Sequence, residues 1–172
     1  MSENELAPPS GDLDTSKSYT ATFSTERGEF EIMLFANDAP LTVENFVNLA
    51  RADFYNATTF HRVIPRFMVQ GGDPTGTGTS GSGQKQKAEF STETHLRGAV
   101  SMARSSDPNS ADSQFFIVLG DAPWLDRKYT LWGRVIEGME FVDNIKKGDP
   151  NSGAVDNPDK IVTLRVAADV DE

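Results

Sequence analysis

Apolar and polar positions alternate over short stretches along most of the chain, the period of half-buried strands rather than of helices. Residues 19–24 and 28–35 flank Thr25-Glu26-Arg27 with a β-rich, partly alternating composition, which predicts a hairpin. The same reading predicts further strands at 59–64, 67–71, 98–102, 114–119, 130–135 and 160–167, eight in all. Two segments carry the helical period instead. Val43, Phe46, Val47 and Ala50 follow Pro40, whose fixed φ and missing N–H suit a first helical turn. Phe141, Val142 and Ile145 precede Lys146-Lys147 and a stopping Gly148, so basic residues would meet the negative end of that helix's dipole.

Many short strands with two isolated helices fit an antiparallel β domain better than repeated βαβ units, and closure into a barrel would remove the exposed edges. The expectation is a mainly β, closed eight-stranded barrel with two helices. Between Gly71 and Arg97 runs a long polar connection, of the kind that in compact domains is functional or mobile. Within it Gly76-Thr77-Gly78-Thr79-Ser80-Gly81 formally matches a dinucleotide-binding fingerprint. Asp73-Pro74 separates it from the preceding strand and no helical period follows, so it reads as a flexible loop.

Composition narrows the chemistry. A chain of 172 residues, 37% hydrophobic and 24% charged, suits one soluble domain, and the lack of cysteine excludes disulfides, thiol nucleophiles and thiolate metal sites. The net charge of −10 gathers at the ends, with four acids against Lys17 in residues 1–18 and nine against four bases in 137–172. That argues against nucleic acid as a partner, and Arg62, Arg66, Arg104, Arg127 and Lys128 are too scattered to track phosphates. No apolar run approaches the ~20 residues of a spanning helix, so no membrane partner is expected. Residues 1–18 lack the basic start and apolar stretch of a secretory signal and read as an acidic, disordered tail. The folded domain is expected at 19–168 with a short acidic tail at 169–172, monomeric and cytoplasmic by default.

His61 and His95 are the only histidines and form no zinc pattern; His61 is expected to be a packed or hydrogen-bonded strand residue, His95 a surface one. There is no Gly-x-Ser-x-Gly elbow, and Asp107, Asp112, Asp121 and Asp126 lie in turn-like surroundings without an obvious acid/base pair. What remains is Arg62, a permanent cation among apolar residues. Alternation points Met68 and Gln70 one way, and Gln114 and Phe116 likewise, so two amides can border an apolar floor. On composition alone Phe67, Met68, Phe116 and Leu125 fit plain core at least as well, and Trp124 fits either reading.

The chain resembles the cyclophilins, a family of peptidyl-prolyl cis-trans isomerases, over roughly residues 19–167. The resemblance rests on Phe60-His61-Arg62-Val63-Ile64-Pro65, Phe67-Met68-Val69-Gln70-Gly71-Gly72-Asp73, Ser101-Met102-Ala103, Ser113-Gln114-Phe115-Phe116-Ile117 and Trp124-Leu125-Asp126, in that order. It implies an eight-stranded antiparallel barrel capped by two helices, with a groove on its outside, no cofactor and no metal. It implies that Arg62 is catalytic and that Phe67, Met68, Phe116 and Leu125 accept a substrate proline. Gln70, Ala103, Arg104, Gln114, Trp124 and Tyr129 match positions around the flanking peptide. Trp124 also matches a position associated with cyclosporin, which makes inhibition by it an expectation. The implied partners are proline-containing peptides and unfolded or flexible chains. Arg66, Arg104 and Tyr129 depart from the commonest patterns, and the Ser105-to-Asp112 loop resembles bacterial members; these departures bear on sequence preference. If position 104 makes its contact through the backbone, as the family suggests, the arginine there costs little. A non-catalytic proline-peptide module and an oligosaccharide-binding barrel are the rival readings.

Overall fold

The computed structural model describes residues 13–168. In chain order the elements are β1 (Tyr19–Thr25), β2 (Gly28–Leu34), α1 (Pro40–Arg51), β3 (Arg62–Ile64), β4 (Met68–Gly71), β5 (Ala99–Met102), β6 (Phe115–Val118), β7 (Leu131–Glu137), α2 (Met139–Asp143) and β8 (Ile161–Ala168). A single 3₁₀ turn, Pro123–Leu125, precedes β7. Each predicted strand has its counterpart, and β1 and β2 pair as the expected hairpin from Tyr19↔Leu34 to Thr25↔Gly28.

All ladders are antiparallel, in the order β3-β4-β6-β5-β7-β2-β1-β8. The expected closed barrel is not what forms. The sheet is open and curled, and its end strands β3 and β8 share no ladder; the isolated bridges Thr59↔Lys160 and Arg62↔Ala154, with Ala57 N–H donating to Ile161 O and Ile161 N–H to Thr58 O, cross the seam instead. The reason lies in β3. It is three residues long and its free edge is taken by the segment before β8: Val63 N–H donates to Gly153 O at 2.8 Å and Gly148 N–H to Val63 O at 2.9 Å. A loop thus covers the edge that barrel closure would otherwise cover.

Strand alternation sorts residues into two apolar clusters. The interior holds Phe23, Phe30, Val63, Val69, Phe115, Ile117 and Trp132 among others. Helix α1 places Val43, Phe46, Val47 and Ala50 there, and the Phe46 ring lies 4.5 Å from that of Trp132 and 5.3 Å from that of Tyr55. Pro40 occupies its first turn as expected, but Ala39 offers no side-chain cap. Glu89 in the long connection supplies one: its carboxylate accepts Leu41 N–H at 3.1 Å, Thr42 N–H at 2.8 Å and the Thr42 hydroxyl at 2.8 Å.

Helix α2 is shorter than its sequence period suggests. It ends at Asp143, so Ile145, Lys146 and Lys147 lie beyond it and no basic residue occupies its last turn. The Lys146 backbone N–H instead donates to Asp159 at 2.8 Å, and that tertiary bond turns the chain away from the helix. Of the expected acidic tails, residues 1–12 and 169–172 lie outside the described residues. Within 13–18 the chain is folded onto the domain: Leu13 packs against the interior cluster and Tyr19 Oη donates to Asp14 O at 2.9 Å.

Candidate active site

The register across β3, β4, β6 and β5 aligns Arg62↔Gln70, Gln70↔Phe116 and Phe116↔Ser101. The neighbouring row, Val63↔Val69, Val69↔Ile117 and Ile117↔Val100, belongs to the interior cluster. Because side chains alternate across a sheet, the Arg62 row lies on the outer face. There Met68, Phe116, Val118, Leu125 and Leu131 form the second apolar cluster, with Phe67, Ala103 and Tyr129 packed at its margin. Plain core and apolar floor are both true of these residues: Met68, Phe116 and Leu125 are buried and also open on a cavity.

That cavity has a volume of about 220 Å³. Phe67, Met68, Phe116 and Leu125 give its apolar side, Arg62 and Gln70 one rim, and Ala103, Arg104 and Tyr129 the other. Nine of the eleven site residues expected from sequence therefore meet in one hollow. Gln114 lines an adjoining cavity of about 310 Å³, which shares Gln70, Ala103 and Arg104 with the first and is walled by Gly78, Thr79, Ser80 and Lys85. Trp124 lines neither; it is 59% exposed, and its ring lies 5.8 Å from that of Phe67 at the rim, tilted by 42°.

Arg62 is exposed but held. Its Nε donates to Ser152 O at 3.1 Å and its Nη1 to Gln70 Oε1 at 3.1 Å, leaving its remaining N–H groups without partners among the described residues. Gln70 Nε2 donates to Gln114 Oε1 at 2.9 Å, and Gln114 Nε2 to Gly78 O at 3.0 Å and Ser80 O at 2.8 Å. A chain of amides thus joins Arg62 to the glycine-rich loop. That loop is itself pinned: the buried Asp73 carboxylate accepts Thr75 N–H, Gly78 N–H and Ser80 N–H at 2.7, 2.7 and 3.0 Å. Burial alone would raise the Asp73 pKa, but these amides and the Thr75 hydroxyl outweigh it and hold it below its ordinary value. Amides that a pyrophosphate would need are taken by the protein's own carboxylate, which agrees with rejecting the nucleotide reading. A freely flexible loop is not what is found.

Arg104 does more than its backbone. Its Nε and Nη2 donate to Lys128 O at 3.1 and 2.8 Å, its Nη1 to Ser105 O at 2.9 Å, and its guanidinium lies 4.5 Å from the Tyr129 ring centroid. Tyr129 meets Phe116 edge-on at 5.8 Å. Arg104, which lines both cavities, therefore stands as a wall between them.

Of the two histidine expectations, the one for His95 needs correction. His95 is 1% exposed, not a surface residue: its ring contacts Asp126 and Ser101, partners remote in sequence that no local pattern signals. His61 is packed, but its ring nitrogens are buried without a hydrogen-bond partner, and it lies just before β3. Also missed were Lys85 and Asp112 beside the second cavity, both in stretches that read as solvated turn or loop. Among the described residues no group of three or more His, Cys, Asp or Glu could hold a metal ion, and no helix is long and apolar enough to cross a membrane.

Residues 20–166 match the family model described as cyclophilin type peptidyl-prolyl cis-trans isomerase/CLD. A probable peptidyl-prolyl cis-trans isomerase of Brucella suis biovar 1 is 44% identical over 164 residues, covering 87% of this chain and 83% of that protein. A peptidyl-prolyl cis-trans isomerase of Helicobacter pylori is 43% identical over 140 residues, 79% and 85% of the two chains. Among solved structures, a cyclophilin type isomerase of Cryptosporidium parvum superposes with a TM-score of 0.81 at 29% identity, over 89% of this chain and 99% of that one. The same protein in the presence of the dipeptide Ala-Pro gives 0.80 at 31% identity, over 87% and 99%. With an eight-stranded sheet of matching fold, an outer hollow behind a fixed arginine, and these likenesses over most of its length, the chain belongs to the cyclophilin family and is a peptidyl-prolyl cis-trans isomerase.

Proposed function

We propose that Arg62 is the catalytic residue and that Phe67, Met68, Phe116 and Leu125 receive the substrate's proline ring, with Gln70, Ala103, Arg104, Gln114, Trp124 and Tyr129 around the flanking peptide. The observation that carries this reading is the guanidinium fixed at two points beside an apolar hollow, with N–H donors to spare. The related Cryptosporidium parvum structure in the presence of Ala-Pro supports a proline peptide as the occupant.

Rotation about an X-Pro bond must break amide resonance, against a barrier of ~18–20 kcal/mol. As the bond twists, the prolyl nitrogen becomes pyramidal and gains a lone pair able to accept a hydrogen bond. Arg62 donates to it, a contact stronger in the twisted state than in either planar isomer, which is the requirement for lowering a barrier. The apolar walls act in the same direction, because the planar amide is more dipolar and loses more when water is excluded. Bringing tens of seconds down to milliseconds takes about four decades, or ~5.5 kcal/mol, whereas one hydrogen bond to a charged group gives roughly 1.5–3. The remainder comes from desolvation and from Gln70 and backbone groups holding one side of the bond while the other turns.

Clients on this reading are exposed X-Pro bonds of unfolded or flexible chains, so the enzyme assists folding, and Trp124 at the rim makes cyclosporin an inhibitor. The test is proline isomerisation in a short peptide, followed by NMR exchange, for wild type and Arg62→Ala. The variant is expected to keep most of the peptide affinity and lose most of the turnover. Equal loss of both would refute this division of labour.

A further inference from the structure

His95 lies directly behind the hollow and has no part in the mechanism above. It holds the 3₁₀ turn Pro123–Leu125 at both ends. Before the turn, Ala122 N–H donates to His95 O at 2.8 Å; after it, Asp126 Oδ1 accepts His95 N–H at 2.7 Å and meets His95 Nδ1 at 2.9 Å. The turn carries Leu125 into the hollow and Trp124 to its rim. On its other side the imidazole stacks on Phe116, 6.3 Å between centroids and 17° between planes. One buried side chain therefore touches the segment bearing one apolar wall and the ring that forms another.

The proton positions follow from the partners. An ionised carboxylate only accepts, so Nδ1 carries the hydrogen and Nε2 presents its lone pair to Ser101 Oγ, 3.1 Å away. The Ser101 hydroxyl donates to Thr130 O at 2.8 Å, which also accepts Met102 N–H at 2.9 Å, so its single hydrogen passes between that carbonyl and His95 Nε2 as the hydroxyl rotates. The His95 N–H bonds hold the Asp126 carboxyl below its ordinary pKa and so keep it an acceptor.

We propose that His95 and Asp126 are positioning residues for the isomerase reaction, a buried strut that fixes Leu125 and Phe116 as the walls gripping the proline ring. This rests on the reading of the hollow as the proline site. Asp126→Ala removes the acceptor that ties the turn to His95, while Asp126→Asn restores an acceptor oxygen without the charge. Steady-state isomerisation of a Pro peptide separates the possibilities. Asp126→Ala is expected to raise KM roughly tenfold, the scale of a small misfit in an apolar pocket, with kcat nearly unchanged because Arg62 is untouched. Asp126→Asn is expected to return KM to within about twofold of wild type, less than 0.5 kcal/mol. In ¹⁵N NMR the Asp126→Asn imidazole should keep its hydrogen on Nδ1.

Equal loss in both variants, or a fall in kcat with KM unchanged, overturns the proposal; so does wild-type KM in Asp126→Ala. Phe116→Ala is the companion arm. If it too leaves KM unchanged, the proline-site reading itself has failed; if it raises KM while Asp126→Ala does not, only the strut has. Melting temperatures of all variants are read alongside, since a purely structural role would lower them without the KM-specific loss and without rescue by asparagine.

Discussion

Gln70 joins the polar and apolar halves of the site in one side chain. Its Oε1 faces Arg62 and its Nε2 faces Gln114, an orientation fixed because guanidinium nitrogens only donate. Removing the amide frees Arg62 from one of its two anchors without touching the apolar walls. Gln70→Ala is therefore expected to lower kcat by roughly tenfold, near the worth of one charge-assisted hydrogen bond, with a smaller effect on KM. An unchanged kcat in the same isomerisation assay would mean that Ser152 O alone positions the guanidinium. Alternation made Gln70 and Gln114 legible as a pair, because strand period decides which way a side chain points. It could not make His95 legible: its burial depends on Asp126, 31 residues away, and a polar side chain in a polar stretch carries no sign of a distant partner. Arg104 was legible as a departure from the family pattern, but its packing against Tyr129 depends on a loop geometry that spacing does not give.

Helix α1 shows how an element recognised from its own period can depend on residues elsewhere. Its apolar stripe and Pro40 were readable; its cap was not, since Glu89 lies 48 residues beyond Leu41. Glu89 is also held by its own N–H, which donates to Thr130 Oγ1 at 2.9 Å. The cap thus ties the long connection to both α1 and the start of β7. Glu89→Ala is expected to destabilise the protein by about 1–2 kcal/mol, the range for losing an N-terminal cap, with kcat/KM unchanged. Urea unfolding midpoints and isomerisation rates measured on one preparation check both halves of that statement. Helix α2 failed in the opposite way. Its sequence period continues through Ile145, but Lys146 N–H is claimed by Asp159, and a buried tertiary acceptor outweighs the weak preference of one further turn.

For the whole molecule, strand number and direction were readable, whereas closure was not, because it turned on a loop occupying the free edge of β3. The same distribution of buried polar groups sets the response to acid. Burial lowers the pKa of both histidines below their ordinary 6.5, although Asp73 facing His61 and Asp126 facing His95 pull the other way; Arg62 and Arg134 reinforce the lowering. A histidine whose folded pKa is depressed binds more protons unfolded than folded. Its contribution is therefore complete above pH 6.5 and lost as pH falls from there toward the folded value, by at most about 1.4 kcal/mol per pH unit for each ring. The carboxylates act lower down. Burial alone would raise Asp159, but its bonds from Arg27 and Lys146 N–H leave it below its ordinary 3.8, and Asp73 and Asp126 are lowered as well. Their contribution is present above 3.8 and lost as pH falls through the folded values. Both sets destabilise in the same direction, so acid should weaken the protein in two stages, the first of them well above the carboxylate range. Urea midpoints at pH 7.5, 5.5 and 3.0 should fall progressively, and His61→Leu, which removes a buried imidazole, should flatten the upper stage. A midpoint constant between pH 7.5 and 5.5 in the wild type would mean that both rings accept a proton in place, each finding its facing aspartate a sufficient counter-ion.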